Sequence, residues 1–386
     1  MIARQAQATL QRLAKGFPIL VITGPRQSGK TTLARLTFPD HRYVSLEDID
    51  EREFARADPR GFLARFVGQG IILDEVQRVP DLLSYLQTDN DLNPVMGRIV
   101  LTASQQFGLL AAVTQSLAGR AGMIQLLPLS LSELNHAQFQ PSLDEVLSQG
   151  LYPALYQRQP LASDWYSSYV ATYVERDVRQ LLQIRDLAQF TRFLKLCAAR
   201  TGQLLNISSL ANDAGISQTA AKQWLSVLEA SYLIFLLQPY HENFGKRLTK
   251  TPKLYFYDTG LAAFLLGIQD SEQMNSHSAR PALFETLIVS DLLKKRWNAG
   301  QTNNLYFWRD HVGLEVDVVM TCKDGIQPIE IKSGQTIASD WFNALNKWQG
   351  LSNSKRQAML IYGGDESYVR QNTRCQGWYQ VNLDQC

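Results

Sequence analysis

The stretch GPRQSGKT, residues 24–31, constrains the fold more than any other feature of the chain. It fits G-x-x-x-x-G-K-[ST], follows the apolar run FPILVIT and opens a helical pattern that begins at Lys30. A strand, a glycine-rich turn and a helix N-terminus in that order aim backbone N–H groups at a phosphate. Gly24, Pro25, Arg26, Gln27, Ser28 and Gly29 would form the cradle, with Thr32 in the first helical turn. Lys30 would reach the β- and γ-phosphates of a nucleotide, and the Thr31 hydroxyl would ligate Mg²⁺. Arg26 would meet either phosphate or a partner.

A strand that feeds such a loop needs parallel neighbours. HRYVSL, GIILDE, GRIVLTAS and GMIQLLPL are short apolar runs separated by helical patterns, which predicts a mostly parallel sheet covered on both faces. Ligands bind at the carboxyl ends of such strands. GIILDE ends there in Asp74 and Glu75. Asp74 would hold Mg²⁺ through water, and Glu75 would orient or deprotonate the attacking water. The competing reading of Asp74 is a helix N-cap. GRIVLTASQQ ends in Ser104 and Gln105, which would sense the γ-phosphate from a neighbouring strand unless Ser104 only caps a helix. Arg120 would stabilise transition-state charge, in cis or from a neighbouring subunit, unless it is an ordinary surface arginine.

The 386 residues suffice for several domains. The pattern divides them into an α/β block over 1–140, a helical block over 141–275 and a second α/β block over 276–386, with a polar joint at GIQDSEQMNSHSARP. The net charge of +2 gives no global attraction to nucleic acid, so any such contact must be local. Cys197, Cys322, Cys375 and Cys386 form no C-x-x-C pair, which argues against zinc and for reduced thiols. The first 17 residues read as an amphipathic helix rather than a signal peptide, and no run is long enough to span a membrane. A cytoplasmic protein is expected.

In the helical block, ISSLANDAGISQTAAKQWLSVLEASYLIFLLQPY predicts helix, turn at Gly215, helix and strand pair, a winged-helix pattern. Ala211 suits close helix packing, and Ser217 suits the N-cap of the second helix. Gln218, Thr219, Lys222 and Gln223 would then face a DNA major groove. Lys246, Arg247, Lys250 and Lys253 would add positive charge to the wing. The same pattern also serves protein-interaction modules, so DNA and a protein partner both stay open.

The last block carries GLEVDVVMTCKDGIQPIEIKSG. Period-2 alternation puts Glu315 and Asp317 on one face of a strand, and Glu330 and Lys332 on one face of the next. Antiparallel pairing across KDG would bring Asp317 beside Glu330, and Glu285 on the preceding helix could join them. Such a set can hold Mg²⁺ and activate water, with Asp317, Glu330 and Lys332 as the catalytic group and Glu285, Asp317 and Glu330 as ligands. The alternative is a solvated face. The arrangement resembles the restriction-endonuclease-like fold, whose pattern is D-…-E-x-K.

GPRQSGKTTLA, IILDEVQRVPDLL, LTASQQ and LAGRAGMIQLLPLSLSEL resemble the bacterial and archaeal AAA-type ATPases that join an N-terminal ATPase domain to a C-terminal domain of unknown function. YFYDTGLAAFLLG, FETLIVSDLLKK and FWRDHVGLEVDVV…IEIKSG resemble that C-terminal part. Ala103 departs from the glycine this family more often has before Ser104. The resemblance implies a P-loop AAA-type parallel-sheet domain and ATPase activity with ATP and Mg²⁺. The expected α/β architecture is then that domain, a winged-helix middle domain and a restriction-endonuclease-like end. Two functions compete: an ATPase working on DNA, with or without cleavage, and a nucleotide-gated switch that binds a protein partner. Oligomeric state is not legible.

Overall fold

The computed structural model describes residues 2–92, 94–104, 117–174, 186–241, 249–352 and 354–381. Gln105, Lys246, Arg247 and Cys386 lie outside the described residues, as does part of the helical run before residue 186. The chain divides into two compact units, Met1–Leu129 with Ala230–Tyr232 and Lys294–Thr302, and Ser130–Glu229 with Leu233–Leu293 and Asn303–Cys386.

The first unit is built on five parallel strands: β1 (Ile19–Thr23), β2 (Arg42–Ser45), β3 (Ile71–Asp74), β4 (Ile99–Ala103) and β5 (Ala121–Gln125), in the order β2-β3-β4-β1-β5. β1, β3 and β4 are buried at every position, which is why they read as unbroken apolar runs. One face packs Leu20, Ile22, Ile72, Val100 and Ile124 against Leu10 of helix α1 (Ala6–Ala14) and Leu33 of α2 (Lys30–Thr37). Phe62 and Phe66 lie in the core on the other face, with Leu82, Leu83 and Leu86 of α3 (Leu82–Leu92). Each such buried side chain stabilises the layer by about 1.5–3 kcal/mol. The strands all end on one edge, and β4 lies between β1 and β3.

In the second unit, α4 (Leu187–Ala198) is followed by β6 (Gln203–Leu204), α5 (Ile207–Ala214), a left-handed turn at Gly215, α6 (Gln218–Ala230), β7 (Ile234–Leu237) and β8 (Lys253–Phe256). The three strands form one antiparallel sheet in the order β6-β8-β7. Ser217 caps α6, its hydroxyl accepting from Ala220 N at 3.1 Å, as expected. Helix α7 (Arg280–Asn298) then leads to a six-stranded mixed sheet. Its strands are β9 (Leu305–Arg309), β10 (Glu315–Cys322), β11 (Gly325–Lys332), β12 (Ala358–Tyr362), β13 (Tyr368–Arg370) and β14 (Thr373–Gly377), in the order β13-β14-β12-β11-β10-β9. β10 and β11 are antiparallel, with Val318 opposite Ile329 and Cys322 opposite Gly325. Cys197 and Cys375 are free and buried, whereas Cys322 is disulfide-bonded, against the expectation of reduced thiols throughout. Among the described residues no helix is long and apolar enough to cross a membrane.

Candidate functional site

The loop between β1 and α2 sits at the carboxyl edge of the first sheet. Two of its glycines are irreplaceable on geometric grounds. A Cβ on Gly24, at φ +149, would lie 2.1 Å from the Leu126 carbonyl oxygen, and Gly29 takes the left-handed φ of +94 that starts α2. Gln27 also has positive φ, at 62. The Ser28 hydroxyl is buried without a partner, as a donor kept for a phosphate oxygen would be. Arg4, from the segment ahead of α1, donates to Ser28 O at 2.6 Å and Leu127 O at 2.7 Å.

Lys30 is buried, and its ammonium donates to Gly24 O at 3.0 Å and Pro25 O at 2.8 Å. Burial lowers its pKa to about 8, against the pull of Glu75 and Asp74. The ammonium therefore folds back on the loop's own carbonyls rather than into the apolar layer.

Asp74 ends β3 almost wholly buried. One of its oxygens accepts from the Thr31 hydroxyl at 2.8 Å and from the Thr102 hydroxyl; the other accepts from the Tyr43 hydroxyl at 2.9 Å. Burial and the Asp74 charge push the Tyr43 hydroxyl up to about 12. Asp74 thus accepts from three side-chain hydroxyls, and among the described residues it caps no helix. Glu75 takes a left-handed φ of 57, a conformation that costs a non-glycine residue about 1–3 kcal/mol. Its Oε2 accepts from Ser104 Oγ at 2.8 Å and from the Gln77 amide, and Gln77 also donates to Ser104 at 3.1 Å. Ser104 thus reaches the acid beside it, across from β4.

Thr31, Asp74, Glu75 and Ser104 are brought together as the sequence predicts. Hydroxyl and carboxylate oxygens are hard donors, the kind magnesium takes, so the residues present fit that ion. Tyr43, Thr102 and Gln77 were missed. The period-2 spacing of Thr102 and Ser104 on β4 was a usable signal for one of them; nothing local marked Tyr43.

Arg120 lies apart from this set. It precedes β5, and its carbonyl accepts from Ile19 N at the first residue of β1, so it lies at the edge opposite the loop. The strand length between them rules out a role on its own subunit's phosphate. Its guanidinium is held by Asp91, at 2.6 Å and 3.0 Å, which raises its pKa.

A second constellation lies wholly within the second unit. Asp317 Oδ2 accepts from Ile331 N at 2.8 Å and stands 3.6 Å from Lys332 Nζ; Lys332 donates to Glu330 Oε1 at 2.6 Å. The antiparallel pairing therefore brings Asp317, Glu330 and Lys332 together. Burial, reinforced by the Asp317 charge, pushes Glu330 up to about 8. Its Oε2 is buried with no hydrogen-bond partner. Burial works to lower the pKa of Lys332, but Asp317 and Glu330 outweigh it and hold it raised.

Glu285 on α7 is also close, and burial and then Asp317 raise its pKa. Its Oε1, however, accepts from Lys253 Nζ at 2.9 Å and from the Tyr255 hydroxyl at 2.5 Å. Lys253 was expected on a basic wing. It is instead 2% exposed, paired with Glu285 and Glu315 over the Phe307 ring, and cannot reach a DNA phosphate. Glu315 is further paired with Arg309 at 2.9 Å. Among the described residues no group of three or more His, Cys, Asp or Glu side chains is poised to hold a metal ion. The donor chemistry and the orphaned Glu330 oxygen suit a hard cation, while Glu285 is engaged with Lys253 and Tyr255.

The four side chains expected to face a groove, Gln218, Thr219, Lys222 and Gln223, are all exposed on α6. Only Lys222 among them carries charge.

Three family models match the chain. An AAA domain covers residues 16–135, a domain of unknown function (DUF8612) covers 140–272, and another (DUF4143) covers 280–384. An uncharacterized protein of Mycobacterium tuberculosis is 31% identical over 338 residues, which is 86% of this chain and 74% of the relative. An uncharacterized protein of Mycobacterium bovis matches to the same extent, 31% over 338 residues. Among solved structures, the Walker-type ATPase paby2304 of Pyrococcus abyssi is 14% identical, with 69% of this chain and 96% of that chain covered at a TM-score of 0.46.

Proposed function

We propose that this chain, which carries an AAA domain over residues 16–135 and belongs to one family with the two mycobacterial proteins, binds ATP and hydrolyses it with magnesium at the loop of residues 24–31. The observation that carries the reading is the junction of Thr31 with Asp74 at 2.8 Å, beside Glu75 and Ser104. A bound magnesium ion, held by Thr31 and Asp74, would neutralise charge on the phosphates. The backbone of residues 24–29 cradles the phosphates. Lys30 leaves the carbonyls of Gly24 and Pro25 for the β- and γ-phosphate oxygens. Glu75 accepts a proton from the attacking water once Ser104 and Gln77 release its Oε2. Arg120, excluded in cis, would act only on a neighbouring subunit.

The test is turnover of Mg–ATP by the full chain, with Lys30→Ala and Glu75→Gln beside it. Abolished turnover in both, with nucleotide binding kept in Glu75→Gln, supports the assignment. Unchanged turnover in Glu75→Gln would sink it.

For the second unit, the apposition of Asp317, Glu330 and Lys332 favours a restriction-endonuclease-like module that takes a divalent cation against a phosphodiester. The helices α5 and α6 with β6 to β8 are then a winged helix that meets DNA through Gln218, Thr219, Lys222 and Gln223. Binding to a DNA panel should weaken with salt at a slope of about −0.9 per phosphate contact. Cleavage, where present, should vanish in Asp317→Ala and in Lys332→Ala while ATPase persists. No DNA binding at low salt would favour the alternative, a nucleotide-gated switch that grips a protein partner.

A further inference from the structure

We propose that Lys253 is a built-in counter-cation of the Glu285–Glu315–Asp317–Glu330 cluster, seated where a divalent cation would bind, and that the cluster takes such a cation only when this ammonium gives way. The inference rests on reading the cluster as a cation site and names what governs its loading.

The first observation is where Lys253 comes from. It opens β8, in the segment matched by one domain of unknown function, whereas Glu285, Asp317 and Glu330 lie in the segment matched by the other. Its ammonium is 2.9 Å from Glu285 Oε1 and also paired with Glu315, with the Phe307 ring centroid at 5.6 Å. Tyr255, two residues along β8, fixes the same Glu285 oxygen at 2.5 Å. One strand thus grips the acid that would complete a three-carboxylate site with Asp317 and Glu330.

The second observation is the balance of charge. Four carboxylates, Glu285, Glu315, Asp317 and Glu330, are paired with three cations, Lys253, Lys332 and Arg309. With all four carboxyls ionised, a dication in the place of Lys253 would bring the two sides level. Glu330 Oε2 meanwhile remains buried and unpartnered beside Asp317, an acceptor that the lysines do not satisfy. A buried carboxylate oxygen in that condition is a coordination position in waiting.

The experiment measures Mn²⁺ binding to the nucleotide-free full chain, by the paramagnetic resonance signal of free Mn²⁺. The proteins are wild type, Lys253→Met, Lys253→Gln and Lys253→Met/Asp317→Asn. Removing a fixed positive charge in contact with the ligands should tighten one site by on the order of tenfold or more. That gain should appear in both single variants and disappear with Asp317→Asn. Lys253→Gln keeps a donor for Glu285 and is the variant to read if Lys253→Met fails to fold. Mn²⁺ at Asp74 is common to all four and drops out of the comparison. If wild type already binds as tightly as both single variants, and Asp317→Asn weakens it, the cation site stands and the role of Lys253 is overturned. If none of the proteins binds Mn²⁺ in an Asp317-dependent way, the cation reading of the cluster falls and the proposal falls with it.

Discussion

Nucleotide binding should draw a proton onto Lys30, and the amount is fixed by where that side chain sits. Burial lowers its pKa from 10.5 to about 8, against the pull of Glu75 and Asp74, while the ammonium donates to two loop carbonyls. A displacement of that size disfavours the charged form by roughly 3 kcal/mol. The free protein therefore carries a neutral Lys30 in about one tenth of molecules at pH 7, about half at pH 8 and about nine tenths at pH 9. Triphosphate oxygens in contact restore the charge, so binding takes up about those same fractions of a proton. Apparent affinity should be flat below pH 7 and fall by about tenfold per pH unit well above pH 8. Titration calorimetry with a Mg-bound non-hydrolysable analogue, in two buffers of different ionisation enthalpy at pH 8 and 9, reads the uptake directly. Identical heats in the two buffers at pH 8, or the same uptake in Lys30→Met, would refute the reasoning. Stability of the empty protein moves opposite to nucleotide affinity as pH rises. The unfolded chain binds more protons than the folded one between pH 8 and 10.5, so this group makes the empty protein more stable as pH rises through that window.

Three other outcomes are expected. Gly24→Ala should abolish nucleotide binding and lower Tm, because its Cβ meets the Leu126 carbonyl oxygen at 2.1 Å; a thermal melt and a fluorescent-nucleotide titration check both. Tyr43→Phe frees one oxygen of Asp74, and should alter the Mg²⁺ concentration for half-maximal turnover while leaving the Kd of metal-free nucleotide unchanged. Arg120→Ala should leave single-site nucleotide binding and Tm unchanged, since the side chain is half-buried and held by Asp91 at the far edge of the sheet.

The first unit was legible because its signals are local. Each strand is an unbroken apolar run, each loop of interest follows one, and Gly24, Lys30, Thr31, Asp74 and Glu75 announce themselves by spacing along the chain. The edge of the sheet on which Arg120 lies was readable as well. That residue precedes its strand, whereas the phosphate loop follows one, and parallel strands put those positions at opposite edges. Lys253 had no such signal. It lies 32 residues from Glu285 in a stretch that reads as a basic wing, and only tertiary pairing reveals that its charge is spent on carboxylates. Asp317 and Glu330 fell between: period-2 alternation and a short turn foretold their meeting, but not the strand that grips Glu285. The sequence boundaries near residues 140 and 275 likewise follow composition, while the two compact units follow packing and are each assembled from three pieces of chain.

That interleaving has a consequence for inheritance. The Tyr232 hydroxyl donates to Thr23 at 2.6 Å, on the strand that leads into the phosphate loop, and Arg12 donates to Ala299 O at 3.0 Å. A gene segment ending after β5 would encode the sheet and the loop yet omit both tethers. Recombination could not pass this nucleotide-handling half to another protein as a cassette without leaving Thr23 and Arg12 bereft of them. The sheet with its loop and the later pieces of the same unit are obliged to travel together.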